Sequence, residues 1–300
     1  MKPVWTASGS AYLMLLVTTF CWGMNAVLGR LAVGEVQPML FVTLRWVVVV
    51  VLLIPLAWRP LVDDWPVLRP RLAYIAFMGA TLSLFSILFY NAAYTTTAIN
   101  IGILQGSIPI LILLAAWVTT RQPLSLWQLI GVLVTLLGVI IVATEGRWDA
   151  LATLTIRQGD QYMLLACVIY AVYSTGLSRK PVSSPFSFFA AMVMPAFLFS
   201  LPFAFYEAAT IGLTAPTVRG WWLVVVTGVF TSLVAQMLYI KGVGLIGASR
   251  AGVFVNLVPI FAALLAVLVL AEDFKLYHAV SLTLVLGGIA LSEWVSTRGR

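Results

Sequence analysis

The sequence is dominated by apolar stretches of about 20 residues, which is the length a helix needs to cross the hydrocarbon core of a bilayer. Ten such stretches recur along the 300 residues, and we expect each to form one transmembrane helix. They lie at 11–30, 38–58, 72–94, 97–119, 124–144, 160–178, 185–207, 220–241, 247–270 and 275–296. The connecting segments are short. The sequence therefore predicts an all-α membrane protein whose function resides inside the helix bundle.

The charged residues exclude several other classes of protein. Only 9% of the residues are charged, against about a quarter in an ordinary soluble domain. The net charge of +7 reflects Lys and Arg at the ends of membrane helices, so we expect no nucleic-acid partner. One His and two Cys are too few for a zinc site or a disulfide framework, and we expect no metal and no cofactor. A membrane-embedded enzyme is the less favoured alternative, because the sequence offers neither a nucleophile with a base nor a metal cluster.

The positions of Lys and Arg predict the orientation of the chain. With the N-terminus inside, eleven of the 17 Lys and Arg residues fall at cytoplasmic helix ends and five at the opposite ends. Short cytoplasmic loops carry the excess of these residues. We therefore expect a multi-pass protein of the inner or plasma membrane with both termini in the cytoplasm.

The two halves of the sequence resemble each other. The matching pairs are 98–102 with 248–252, Pro109 with Pro259, Gly138 with Gly288, Gly79 with Gly228 and Tyr90 with Tyr239. The first three pairs are 150 residues apart and the last two 149. Since five spans is an odd number, the second repeat must enter the membrane from the opposite side. We expect two inverted five-helix repeats, 1–150 and 151–300, that form one transmembrane domain with a site where they meet.

Several local patterns resemble a known superfamily. The first repeat opens with Trp22-Gly23-x-Asn25, followed by Arg30, Pro38 and Arg45. Small residues precede the mid-span Pro in the fourth and ninth spans, and Gly-rich runs lie in the fifth and tenth. With these features the chain resembles the ten-span EamA-domain branch of the drug/metabolite transporter superfamily.

The resemblance has two departures and one narrower implication. Arg121-Gln122 stands where the family often has Gly-Glu, and Tyr170 lies near the place of a Trp that often opens the second repeat. Within the superfamily the chain looks like the aromatic amino acid exporters. This resemblance implies that it exports Phe, Tyr and Trp together with other amino acids and some cationic toxins. We expect export of aromatic and other bulky neutral amino acids through a central cavity that opens alternately to each side.

Polar residues inside the membrane are the candidates for substrate contacts, because an intramembrane polar group is costly unless it is paired. On helical spacing, such residues form stripes on six spans from both halves. We expect the substrate-binding residues to be Trp22, Asn25, Tyr90, Gln105, Tyr170, Gln236, Tyr239 and Asn256. The alternative is that these residues connect helices to one another. Pro109 and Pro259 each remove a backbone donor inside a span and are candidate hinges, or else simple packing kinks.

The charged side chains narrow the kind of solute. Every Asp and Glu maps to a loop or a span end, so we expect a net-neutral solute such as a zwitterionic amino acid. Arg45 lies about two turns into the second span, and we expect it to snorkel outward or to bond carbonyl groups of a neighbouring helix.

Other carriers of the same superfamily are the main alternative, including drug and nucleotide-sugar carriers. A nucleotide-sugar carries two or more negative charges and would need buried Lys or Arg side chains in its binding site. Only Arg45 and Lys241 lie close enough to the interior of a span to be candidates for that role. A channel is a further alternative. The Gly-rich fifth and tenth spans either pack within a monomer or form the seam of a homodimer, and the sequence leaves that choice open.

Overall fold

The structure is a computed structural model that describes residues 4–120, 126–147, 156–246 and 254–298. These ranges contain helices and turns but no strand. The helices are α1 (Val4–Leu31), α2 (Pro38–Leu68), α3 (Leu72–Thr95), α4 (Ala98–Gln105), α5 (Ile108–Thr120), α6 (Leu126–Ala143), α7 (Gln158–Gly176), α8 (Pro185–Ile211), α9 (Val218–Val226), α10 (Ala235–Ile246), α11 (Val258–Leu270) and α12 (Leu276–Arg298). A π-helical segment, Thr227–Val234, joins α9 to α10.

Six helical segments within the described ranges are long and apolar enough to cross a membrane. They are Ser10–Leu31, Pro38–Thr95, Ala98–Ala115, Leu126–Ala143, Pro185–Ile211 and Val218–Gly242. Large apolar side chains project outward from the bundle, and those of Leu56, Phe205 and Leu268 are each 71% exposed. Such a surface would be a liability in water but suits contact with lipid. The predicted all-α membrane protein is confirmed for the described part of the chain.

The α2 and α8 helices run antiparallel and cap each other. The carboxylate of Glu207, in the last turn of α8, accepts hydrogen bonds from the backbone N–H groups of Met39 (3.1 Å) and Leu40 (2.9 Å) at the start of α2. At the other end, Asp64 of α2 accepts a hydrogen bond from the N–H of Ser184 (2.7 Å), which precedes α8. First-turn N–H groups have no partner within their own helix, so these contacts hold both helix ends in register.

The α4 and α11 helices cross at a point of very close approach. A Cβ added to Gly102 would overlap the Cβ of Ala262, so only glycine allows the two backbones to come this near. Beyond the end of α11, the carboxylate of Glu272 accepts hydrogen bonds from the N–H groups of Ala98 (2.9 Å) and Ile99 (3.0 Å). The end of α11 therefore lies beside the start of α4, and these two helices are also antiparallel.

The Gly-rich helices α6 and α12 pack on each other within the monomer. A Cβ added to Gly138 would lie 2.9 Å from the carbonyl oxygen of Ser281, and one added to Gly288 would lie 2.6 Å from that of Gly131. The pairing of 138 with 281 and of 131 with 288 shows that the helices are antiparallel. Gly131, Gly138 and Gly288 therefore take part in packing between helices of the same chain.

The predicted boundaries differ from the observed ones mainly at α2. This helix continues from the predicted end at 58 to Leu68 and includes Pro60 and Pro66. The apolar pattern stops near the membrane boundary, whereas the backbone stays helical beyond it. Residues 248–252, which take part in the predicted repeat, lie outside the described residues.

Candidate functional site

A cavity lies between helices from both halves of the chain. Its empty space amounts to about 920 Å³ when the mouth that is open to solvent is included. Six of the eight predicted site residues line it, namely Trp22, Asn25, Gln105, Tyr170, Gln236 and Asn256. Pro109 also lines the cavity. The structure thus brings together side chains that are far apart in the sequence.

The two remaining predicted residues, Tyr90 and Tyr239, are not among the residues that line the cavity. The hydroxyl of Tyr90 donates a hydrogen bond to Asn25 Oδ1 (2.6 Å), and its side chain is 1% exposed. The ring of Tyr239 lies against that of Trp22, with 5.1 Å between the ring centroids. Both tyrosines therefore support a lining residue of α1.

Aromatic rings form a large part of the wall. The ring of Phe85 lies 5.1 Å from that of Tyr170, and Tyr170 lies 5.6 Å from Tyr173, measured between centroids. Phe85, Tyr173 and Phe189 line the cavity but were not among the expected site residues. An isolated aromatic residue in an apolar helix gives no signal that separates a cavity wall from a packed core.

The first helix break lies at the cavity. The α4 helix ends at Gln105 and α5 begins at Ile108. Between them, the N–H groups of Gly106 and Ser107 each donate to a carbonyl three residues back, at 3.0 Å. Pro109 has no N–H to donate to the carbonyl four residues back, which is the position of Gln105. The sequence predicted one span at 97–119 with a kink or hinge at Pro109, whereas the structure has two separate helices there.

A second break occurs at the equivalent place in the other half. The chain turns at 256–257, where the N–H of Leu257 donates to the carbonyl of Phe254 (2.9 Å), and α11 begins at Val258. Pro259 stands in the first turn of α11. It does not line the cavity, unlike Pro109. Its role as a hinge stays a prediction.

The amide groups at the two breaks have free acceptors. Gln105 Oε1 and Asn256 Oδ1 are both buried and have no hydrogen-bond partner. Buried polar atoms are nearly always paired. Two unpaired carbonyl oxygens in one cavity wall indicate a place for a donor group of a bound molecule.

Arg45 occupies a different position from the one expected. Its side chain is 6% exposed and lines the cavity, so it does not snorkel outward. It bonds hydroxyl groups rather than carbonyls, with Nη1 donating to Ser232 Oγ (3.1 Å) and Nη2 to Ser86 Oγ (2.5 Å). The guanidinium carbon also lies 4.9 Å from the ring centroid of Trp46. The rotation of α2 within the bundle places this side chain inward.

The π-helical segment contributes two hydroxyl groups to the cavity wall, those of Thr231 and Ser232. The segment ends where the N–H of Ala235 donates to the carbonyl of Phe230, five residues back. The hydroxyls of Thr231 and Ser232 both lie within bonding distance of the Thr227 carbonyl, at 2.8 and 3.3 Å. Single π-turns frequently occur at functional sites, and no sequence pattern indicated this one.

Acidic side chains stay at the helix ends. No Asp or Glu is found among the described residues that line the cavity. The buried Asp160 lies in the first turn of α7 and accepts a hydrogen bond from Thr96 Oγ1 (2.6 Å). Among the described residues of the cavity wall, Arg45 is the one cationic side chain, and it stands among amides, hydroxyls, aromatic rings and aliphatic side chains such as Leu82 and Val258.

Comparison with known proteins gives the family. The model of the EamA-like transporter family matches residues 9–144 and again residues 157–294. The chain belongs to the EamA-like transporter family. The predicted superfamily is thereby confirmed.

Two relatives and one solved structure extend this result. The uncharacterized transporter YetK of Bacillus subtilis (strain 168) is 29% identical over 287 residues, which cover 93% of this chain and 85% of the relative. The uncharacterized transporter YyaM of the same organism is 23% identical, with 95% and 93% covered. A solved structure titled "Crystal structure of protein" has a TM-score of 0.63 at 18% identity and covers 97% of this chain and 99% of its own. It shares the fold.

Family and structure together describe a multi-pass membrane transporter. Its relatives are named as transporters, so a membrane-embedded enzyme is not favoured. A transporter of this kind carries a small molecule across the lipid bilayer, and the cavity between the two halves is the candidate place for that molecule.

Proposed function

We propose that this EamA-family transporter exports aromatic and other bulky neutral amino acids through the central cavity. The composition of the cavity wall carries the proposal, because rings such as Trp22, Phe85 and Tyr170 stand beside the amides of Gln105 and Asn256. Aromatic side chains stack on such rings. The amides offer hydrogen bonds to an ammonium or a carboxylate group.

We also propose ten spans arranged as two inverted repeats, 1–150 and 151–300. An inverted repeat of five helices requires that equivalent helices run antiparallel. The contacts of α2 with α8, α4 with α11 and α6 with α12 agree with this requirement. The helix breaks at 106–107 and 256–257 stand 150 residues apart, and the family model matches once in each half.

In this arrangement the halves rock against each other and expose the cavity alternately to each side. Pro109 and Pro259 would act as the hinges. The excess of Lys and Arg at one set of helix ends supports a location in the inner or plasma membrane with both termini in the cytoplasm. The cavity reaches Tyr173 near the end of α7 and Phe189 near the start of α8, which are cytoplasmic ends in this orientation and suit loading for export.

The test is exchange of labelled tryptophan in proteoliposomes that contain unlabelled tryptophan, without an ion gradient. We expect saturable exchange well above that of protein-free liposomes. If folded protein gives no exchange, even after a pH gradient is imposed, amino acid transport is refuted. Exchange that appears only with the pH gradient would indicate proton coupling.

Site variants test the assignment of the cavity. Gln236→Ala removes an amide from the cavity wall, and Tyr239→Ala removes the ring that packs on the lining residue Trp22. We expect each to lower the apparent affinity for tryptophan about two- to tenfold at normal folded yield, since a lost hydrogen bond or ring contact is worth about 0.5–1.5 kcal/mol. Tyr206→Ala is the control, because Tyr206 is 71% exposed on the outside of α8. Unchanged transport in both site variants would contradict this placement of the site.

A further inference from the structure

We propose that Arg45 is the subsite that binds the carboxylate of the substrate, so that the transporter selects solutes with one carboxylate group. This inference rests on the proposed function and specifies its chemistry. It follows from the partners of the guanidinium group, from the free donors and acceptors around the cavity and from the charge balance of the wall.

The guanidinium group is held in place without being neutralised. Its two Nη atoms donate to the hydroxyl oxygens of Ser86 and Ser232. Each hydroxyl in turn lies within bonding distance of a helix carbonyl, that of Leu82 (3.0 Å) and of Thr227 (3.3 Å) respectively. The serine oxygens therefore act as acceptors that orient the side chain. Since hydroxyl groups carry no net charge, the positive charge of Arg45 stays uncompensated.

In the part of the chain that the structure describes, no acidic side chain pairs with this cation. Within the described ranges the ion pairs are Arg157 with Glu145 and Arg219 with Glu35. Burial of an unpaired charge is strongly unfavourable. The rings of Trp46 and Tyr90 lie nearby, with their centroids 4.9 and 5.2 Å from the guanidinium carbon. Their attraction for the cation offsets only part of the free-energy cost of burying the charge. An anion entering the cavity would complete the pairing.

Free donors and free acceptors occur together in this one cavity. Arg45 Nε and Trp46 Nε1 are buried donors without partners. Both groups can only donate, so they fit an acceptor such as a carboxylate. Gln105 Oε1 and Asn256 Oδ1 are buried acceptors without partners at the two helix breaks. Donors on α2 and acceptors at the breaks match the two charged groups of an amino acid zwitterion.

The number of charges separates this solute class from nucleotide-sugars. Among the described residues that line the cavity, one side chain is cationic and none is acidic. One guanidinium matches one carboxylate, whereas a diphosphate would bring at least two negative charges into the same space. The unpaired amide oxygens would then face further negative charge.

The test compares solutes that differ only at the carboxyl group. Thermal stabilisation of the purified protein in detergent is measured with tryptophan against tryptophanamide, and with 3-phenylpropionate against 3-phenylpropionamide. We expect each carboxylate to produce the same thermal stabilisation as its amide at a concentration that is lower by about tenfold or more. In Arg45→Gln this preference should disappear. Arg30→Gln is the matched control, because Arg30 donates to the Ala93 carbonyl (2.6 Å) and does not line the cavity.

The outcomes are distinct. A wild-type protein without preference for the carboxylates, or an Arg45→Gln protein that retains it, would overturn the proposal. Trp46→Phe removes the indole N–H but keeps a ring, and it provides a second variant if Arg45→Gln does not fold. We expect it to reduce the preference by about threefold, and an unchanged preference would overturn the subsite. Failure of tryptophan exchange alone would refute amino acid transport, while the 3-phenylpropionate pair would still decide the role of Arg45.

Discussion

The crossing of α4 and α11 allows a stringent test of the packing. A methyl group added at Gly102 would overlap the Cβ of Ala262, whereas the next atoms are the carbonyl oxygen of Pro259 at 3.6 Å and Ala262 Cα at 3.7 Å. Those two distances are ordinary van der Waals contacts. The entire conflict in Gly102→Ala therefore arises from a single methyl group on the opposite helix.

The expected magnitudes follow from this geometry. Overpacking of a tight core typically lowers the free energy of unfolding by about 1–3 kcal/mol. Ala262→Gly alone removes a buried methyl group and loosens α11, with a loss of about 1 kcal/mol. In Gly102→Ala/Ala262→Gly the methyl group has only moved across the interface. We expect the double variant to be more stable than Gly102→Ala, with a coupling energy of about 1–3 kcal/mol.

The measurement is unfolding of the purified transporter in detergent, followed by tryptophan fluorescence. Gly287→Ala is the control, since nothing lies within 4 Å of a Cβ at this exposed position, and we expect no loss of stability there. Strictly additive effects of the two substitutions would refute the close approach of α4 and α11. So would a Gly102→Ala protein as stable as the wild type.

Two further predictions concern helix capping and orientation. Glu207→Ala removes the acceptor of two backbone N–H groups at the start of α2 and should lower the free energy of unfolding by about 1–2 kcal/mol. The exposed Asp273→Ala should have no effect, and equal stability of the two variants would contradict the cap. For orientation, Val182→Cys (94% exposed) should react with an impermeant maleimide only in permeabilised cells and Leu213→Cys (69% exposed) in intact ones. The native cysteines are buried, and labelling of both positions from one side would contradict a crossing by α8.

The sequence by itself determined the membrane class and the superfamily, and it marked Pro109 and Pro259 as candidate kinks or hinges. Membrane spans can be identified from sequence because their length and hydrophobicity are set by the bilayer rather than by neighbouring helices. The break before Pro109 follows from the missing N–H of a single residue. Six polar or aromatic site candidates line the cavity, because a polar side chain on an apolar helix avoids lipid and faces the interior of the bundle.

Only the tertiary structure decided which interior position each side chain takes. Tyr90 and Tyr239 contact lining residues but do not line the cavity, whereas Arg45 does. The rotation of one helix against another determines these positions, and the periodicity of a single helix carries no information about it. The caps of α2 and α8 likewise depend on hydrogen bonds between distant segments. The apolar pattern of the sequence specifies that a residue is buried, but the packing of the helices specifies which other residues it contacts.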